Sequence, residues 1–367
     1  MLNLSNTFFK KINLYAIWFL VTFGILLQIS ASSVQGLNQY NDNFYFIKRH
    51  LASLLIGILI FNLGKNFTYN FILKFSNIFM VIISIALFLV LAYGVVAGGS
   101  RRWIDLGPVY FQPSELAKPI IILWVAHRLS ELKSEHSDWF YLKRAISLPL
   151  LSCFLIYLEP DYGTTLTILG IFFIQIVFSD VKIRYPVALL SLSVFPLYQF
   201  ANASDYRRQR IQTFLDGDCQ EGVDLLGTCF QLNQSWIAIS SGGLTGLGPG
   251  TSRARWGILP NAYTDFIVSI TGEEYGFIGI LVLTIIFLIL IISFYGMAIT
   301  TDDNFKKLLL VGLATWIGIQ TILNLGGAVG LLPITGIVLP FISYGGTAMV
   351  SIFIGLTLAH NRTSDNE

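Results

Sequence analysis

Leu259-Pro260-Asn261-Ala262-Tyr263-Thr264-Asp265-Phe266-Ile267 is the stretch on which the reading of this chain turns. Before it lies a polar, basic, glycine-rich region, about 202 to 264. After it begins an apolar run, 266–297, longer than the roughly 20 residues needed to cross a bilayer. Asp265 therefore sits where water meets membrane. A carboxylate at such a boundary is costly unless it is used, so it is read as a candidate functional group.

Outward from that stretch, apolar runs recur from end to end. They predict ten spans, near 13–30, 46–64, 71–96, 114–129, 144–159, 162–179, 184–201, 266–297, 307–328 and 341–359. Of 367 residues, 54% are hydrophobic and 12% charged, about half the charged fraction of a soluble domain. Mean hydropathy is +0.68. The predicted fold class is an all-α polytopic membrane protein. It has about ten transmembrane helices in a single domain, 1–367, one large extracytoplasmic loop, about 202–264, and a re-entrant outer segment. Lys10 and Lys11 before an apolar run, with Ser30-Ala31-Ser32 after it, imitate a secretory signal. The run from Leu14 to Ile29 is long for one, so it is read as an uncleaved first span. A net charge of +2 gives no ground for a nucleic-acid partner.

An even number of spans puts both termini on one side. With that side cytoplasmic, the positive-inside rule accounts for 13 of the 23 basic residues. Nine of the other ten lie in or beside three outer elements: the Lys48-Arg49 edge, the loop 97–113 and the large loop. Cations held outside against that rule need another use, and binding anions is the simplest. Cys153, within a span, reads as a small buried hydrophobe. Cys219 and Cys229 share the large loop with nine residues between them, so a disulfide is allowed if that loop is extracytoplasmic. The four histidines are scattered and none is near Asp265, which argues against a His-ligated metal.

Four strings carry candidate chemistry. The first runs Ser100-Arg101-Arg102-Trp103-Ile104-Asp105-Leu106-Gly107 and on to Phe111-Gln112-Pro113-Ser114-Glu115-Leu116-Ala117-Lys118. Trp103 suits a membrane interface, and Ser114 reads as a helix N-cap. Glu115 and Lys118 share a helix face, either as a local ion pair or as the charged wall of a cavity. The second is Glu159-Pro160-Asp161-Tyr162-Gly163-Thr164, an outward hairpin in which Asp161 suits the start of the next helix. The third is the large loop. It holds Arg207, Arg208 and Arg210, the glycine-rich 241–250, Arg253 and Arg255, with Glu273 and Glu274 two turns beyond Asp265. Glycine-rich backbone can cradle phosphate, but no Gly-Lys-Ser/Thr ending makes this a P-loop. One of the two glutamates could neutralise a buried cation. The fourth, Gly326 to Gly346, carries Pro333 and Pro340 among many glycines. Non-helical backbone at membrane depth has to be buried in protein or line a cavity, so this is the re-entrant segment.

Taken in order, these strings resemble the SEDS family of shape, elongation, division and sporulation proteins, the FtsW and RodA group. The resemblance spans nearly the whole chain. It also takes in Ser241-Gly242-Gly243-Leu244, Thr264-Asp265-Phe266-Ile267, Gly272-Glu273-Glu274 and Leu339-Pro340-Phe341-Ile342-Ser343-Tyr344-Gly345-Gly346. Arg253-Ala254-Arg255-Trp256-Gly257 and Gln320-Thr321-Ile322-Leu323-Asn324 are more similar to the FtsW branch than to RodA. One departure is Tyr263, where the family commonly has His before Thr-Asp-Phe; it leaves Asp265 as the strong base candidate.

The resemblance implies a peptidoglycan glycosyltransferase that polymerises lipid II, an undecaprenyl-pyrophosphate-linked disaccharide peptide, at the outer face of the bacterial cytoplasmic membrane. It implies a class B penicillin-binding protein as transpeptidase partner, within a divisome or elongasome. Asp265 is then the expected catalytic base. Arg102, Trp103, Glu115, Lys118, Asp161, Arg207, Arg208, Arg210 and Arg253 form the candidate substrate-binding set, its cations facing the leaving pyrophosphate. A divalent cation, Mg or Mn, could share that work, with Asp161 or Glu115 as ligands. The competing reading is a transporter that flips lipid II between leaflets.

Overall fold

A computed structural model describes residues 5–97, 100–107, 109–131, 137–189, 191–192, 219, 227 and 229–361. Arg207, Arg208 and Arg210 lie outside the described residues, as does most of the expected span 184–201.

Helices dominate. They are α1 (Asn6–Tyr40), α2 (Tyr45–Gly64), the short α3 (Tyr69–Lys74), α4 (Ser76–Tyr93), α5 (Pro113–Ser130), α6 (Asp138–Leu158) and α7 (Tyr162–Val177). Then come α8 (Phe230–Gly242), α9 (Ile267–Ile299), α10 (Asn304–Val329) and α11 (Gly346–Ala359). Nine of the ten expected spans coincide with helices in this series. Six of the helices are long and apolar enough to cross a membrane; α7 and α11 are apolar but shorter.

Three features depart from the sequence expectation. A small antiparallel sheet, β1 (Val95–Ala97), β2 (Ser100–Asp105) and β3 (Tyr110–Phe111), takes the end of the span expected at 71–96 together with the loop 97–113. The last span begins at Gly346 rather than 341, because Phe341–Gly345 belongs to the non-helical segment that follows α10. And the large loop contains a helix, α8, in its described part. There α8 packs on α9 and α10, where Ser235 donates to the Ala328 carbonyl (2.6 Å) and Trp236 to that of Val329 (3.0 Å). Cys219 and Cys229 form a disulfide, and Cys229 is the residue immediately before α8.

At the centre, α9 packs against α1, α8 and α10, while α2 packs on α11 and α5 on α4, α6 and α10. The apolar core is continuous, with Trp316, Phe266, Phe287, Phe294 and Phe353 among its largest wholly buried members.

Helix α9 is not one rod. At Gly276 its backbone turns to φ 68°, ψ −166°. Residues 243–248 cross the break. Phe277 and Ile278 N–H groups donate to the carbonyls of Gly243 and Leu244 (2.9 and 3.1 Å), while Leu247 and Gly248 N–H groups donate to those of Glu273 and Glu274 (3.0 Å each). Four backbone groups that the break frees from the helix ladder thus find partners in one neighbouring loop, which buried backbone requires. The approach is too close for side chains. A Cβ on Gly276 would lie 2.4 Å from Gly246 N, and one on Gly242 would lie 2.0 Å from the Gly272 carbonyl oxygen. This explains the glycines at 242, 246 and 276 by contact between backbones. The N–H groups of Gly246, Leu247 and Gly248 are given to carbonyls, so this part of the loop is a strap and not a phosphate cradle.

Candidate active site

Asp265 is half-buried at the end of a turn in which the N–H groups of Thr264, Asp265 and Phe266 all donate to the Asn261 carbonyl (3.1–3.2 Å). Its own carbonyl accepts from Asn324 Nδ2 of α10 (3.0 Å), and the same amide donates to Ile337 (2.7 Å). Asn324 thereby ties the carboxylate's backbone to the non-helical segment 331–345. Ser343 Oγ adds a second tie, to the Thr264 carbonyl (2.5 Å). Gln28 of α1 supplies a third, donating to both Tyr263 (2.8 Å) and Ile342 (2.9 Å). In that segment Gly336 adopts φ +70°, and a Cβ there would lie 3.7 Å from Asp265 Oδ2. Segment 331–345 therefore comes close to the carboxylate at a residue that has no side chain.

Tyr263 points its ring into an aromatic group, 4.8 Å from Phe46 and 5.7 Å from Tyr344 between centroids. Burial above all, with the neighbouring Tyr344, Tyr40 and Asp265 charges, pushes its phenol up to about 12. It is a neutral packing ring and not an alternative base.

The second wall gathers residues distant in sequence. Asp161 caps the N-terminus of α7, accepting from the Thr164 N–H (3.3 Å). Its other oxygen accepts from Ser114 Oγ (3.3 Å) and Gln112 Nε2 (3.4 Å). Ser114 is therefore not the N-cap of α5. That helix starts at Pro113 with Gln112 in the cap position, two residues earlier, and the Ser114 hydroxyl is spent on Asp161. Arg102 Nη1 lies 3.8 Å from Asp161, and Nη2 donates to the Pro160 carbonyl (2.5 Å). Trp103, next along β2, is half-buried opposite Val95. Glu159 is wholly buried, and neither carboxyl oxygen has a donor among the described residues.

The two walls meet. Gly163, two residues into α7 from Asp161, abuts Ile337 so closely that a Cβ would lie 2.3 Å from it. The Gln112 N–H donates to Thr347 Oγ1, just beyond the same segment (3.2 Å). Segment 331–345 thus approaches Asp265 at Gly336 and the start of α7, beside Asp161, at Ile337.

Glu115 and Lys118 form a buried ion pair of 2.7 Å, and the Lys118 ammonium also stands 5.4 Å from the Trp316 ring. Lys118 has no exposed surface. The local-pair alternative describes this geometry, and the pair would have to open for Lys118 to meet a ligand. As ligands for a divalent cation, Asp161 and Glu115 fit poorly. Three of their four oxygens already face an amide N–H, a hydroxyl, a carboxamide and an ammonium. Nor do the described residues hold a cluster of three or more metal-type ligands.

The two glutamates of α9 serve the strand of chain that leads to Asp265. Glu273 accepts from Ser252 Oγ (2.5 Å) and from the N–H groups of Arg253 (3.0 Å) and Ala254 (3.2 Å). Glu274 accepts from Ser30 Oγ, which in turn accepts from Arg255 Nη1 (3.1 Å). One glutamate does approach a cation, through a serine; the other holds backbone. The Arg253 side chain is exposed. Gln28 and Ser30 are absent from the sequence-level candidates, and Asn324 enters them only within a branch-specific string. Their signal is a polar residue in an apolar span, which is costly unless paired.

A family model described as a cell cycle protein, that of FtsW, RodA and SpoVE, matches residues 11–366. The probable peptidoglycan glycosyltransferase FtsW of Geobacter metallireducens is 34% identical over 335 residues, 90% of this chain and 88% of the relative. Stage V sporulation protein E of Bacillus subtilis is 34% identical over 349 residues, 93% of each chain. Among solved structures, "Structural coordination of polymerization and crosslinking by a peptidoglycan synthase complex" contains a chain that superposes with TM-score 0.76 at 25% identity, covering 96% of this chain and 97% of that one.

Proposed function

This chain belongs to the FtsW/RodA/SpoVE family of cell cycle proteins, and from that premise we propose a peptidoglycan glycosyltransferase that polymerises lipid II at the outer face of the cytoplasmic membrane, with both termini cytoplasmic. The observation that carries the site is the half-buried Asp265 beside Gly336, on the same segment whose next residue, Ile337, meets the start of α7 where Asp161 and Arg102 pair.

In this reading the Asp265 carboxylate takes the proton from the 4-hydroxyl of the acceptor sugar. That oxygen forms a bond to C1 of the lipid-linked donor sugar as the bond from C1 to the pyrophosphate oxygen breaks. The electron pair leaves with the pyrophosphate, and one displacement inverts C1. Guanidinium groups facing the departing diphosphate stabilise its growing charge. Arg102 and Arg253 are the described candidates, with Arg207, Arg208 and Arg210 as further members. The partner is a class B penicillin-binding transpeptidase, in keeping with the synthase complex to which the fold is similar. Similarity to FtsW relatives favours the division branch.

Purified protein with labelled lipid II, read for glycan chains and separately for leaflet exchange, tests this reading. Wild type forms chains. Asp265→Asn and Asp265→Ala insert into the membrane normally and form none. Chains from Asp265→Ala would overturn the assignment, and leaflet exchange without polymer would replace an enzyme by a transporter.

A further inference from the structure

We infer that Glu273 is a positioning residue for the transfer reaction, a buried carboxyl that fixes the Arg253 arm relative to Asp265; the inference rests on the catalytic reading of Asp265 given above. Glu273 lies eight residues, about two helical turns, beyond Asp265 and is 2% exposed. It meets no cationic side chain in any hydrogen bond described above. Its two oxygens accept one hydroxyl and two consecutive backbone N–H groups, from Ser252, Arg253 and Ala254. Its own carbonyl accepts from Leu247 across the break.

The result is a closed arc. It leaves α9 at the Glu273 carboxyl, passes through Arg253, and tightens where the Leu259 N–H donates to Ala254 (3.1 Å). It then turns at Asn261, whose carbonyl receives the first N–H groups of the Asp265 turn. It re-enters α9 at Ile267. Both ends of the arc are held by one short helical piece, so the base and the arginine arm form a single frame. Arg255 holds the arc from the other side, through Ser30 and Glu274. A hydrogen-bonded carboxyl suits this task better than an apolar contact. Its three acceptor bonds set direction as well as distance, and a buried carboxyl deprived of donors is costly, so the arc cannot drift from it cheaply.

The test is a double-mutant cycle on the full-length protein with labelled lipid II, with Asp265→Ala alongside. Glu273→Ala is expected to lower turnover roughly 100-fold, the scale of a 1 Å misplacement, with KM changed by about twofold or less. Glu273→Gln, which keeps one acceptor oxygen, recovers part of the loss. Arg253→Ala lowers turnover in wild type and costs much less in the Glu273→Ala background, because the arm is already released. Equal costs in both backgrounds, wild-type turnover of Glu273→Ala, or no cost of Arg253→Ala in wild type would each overturn the inference. Should Glu273→Ala fail to accumulate, Ser252→Ala removes a single donor and the same cycle is read with it. An active Asp265→Ala protein defeats the catalytic reading itself, whatever Glu273 does.

Discussion

Two residues before the carboxylate, Tyr263 shows how a substitution within a motif can leave the chemistry in place. Its backbone carbonyl takes part in the architecture, receiving Gln28 and the N–H of Tyr344, bonds that any residue at 263 could accept. Its ring is a packing element against Phe46 and Tyr344. With the phenol pushed up to about 12, the neutral form persists across any pH at which polymerisation would be assayed. Tyr263→Phe is therefore expected to leave the pH profile of glycan synthesis between pH 6 and 9 unchanged. A lost alkaline limb in that variant, read from initial rates across the range, would give the hydroxyl a role that its surroundings deny it. Asp265 itself is legible in the sequence because a carboxylate at a hydropathy boundary stands out. Gln28 and Asn324 are not, because an amide in a span declares only that it has a partner, not which. The partners lie 235 and 59 residues away in sequence.

Among the elements, α9 is decisive. Its apolar length makes it legible as a span, and the same holds for eight of the other nine, since apolar runs report burial in lipid or protein without reference to neighbours. The break at Gly276 is invisible to that logic. It exists because residues 243–248 supply the hydrogen bonds that the helix forgoes, a relation between two strings that each look merely glycine-rich. Likewise the role of Ser114 as a donor to Asp161, instead of as a helix cap, depends on α7 arriving beside α5. Gly276→Ala should therefore be severe. The added methyl would lie within 2.5 Å of backbone atoms of Leu244 and Gly246 at φ +68°, and overpacking together with left-handed strain costs about 2–5 kcal/mol. Thermal unfolding in detergent is the check, with Gly318→Ala as control because its methyl would meet Ile291 at an ordinary 3.6 Å. A Gly276→Ala protein as stable as that control would mean that the crossing is not a fixed contact.

For the molecule as a whole, the sidedness proposed from the distribution of cations leads to a direct experiment. Arg253, near Asp265 in sequence, and Asp302, in the turn between α9 and α10, are both exposed and lie at opposite ends of α9. In intact cells a membrane-impermeant maleimide should label an Arg253→Cys protein and leave an Asp302→Cys protein unlabelled until the cells are permeabilised. Cys153, being buried, gives little background. The reverse pattern would turn the molecule over and remove the site from the side where the outer-face reading needs it. The break in α9 also bears on depth. Residues 277–299 form a helical stem of about 34 Å at 1.5 Å per residue, and the hydrocarbon layer is about 30 Å thick. The stem crosses that layer unaided, and the piece above the break is released from spanning. Residues 265–275 are thereby freed from the length that a bilayer imposes, so the height of Asp265 is set by the strap 243–248 and by Asn324 instead of by the thickness of the hydrocarbon.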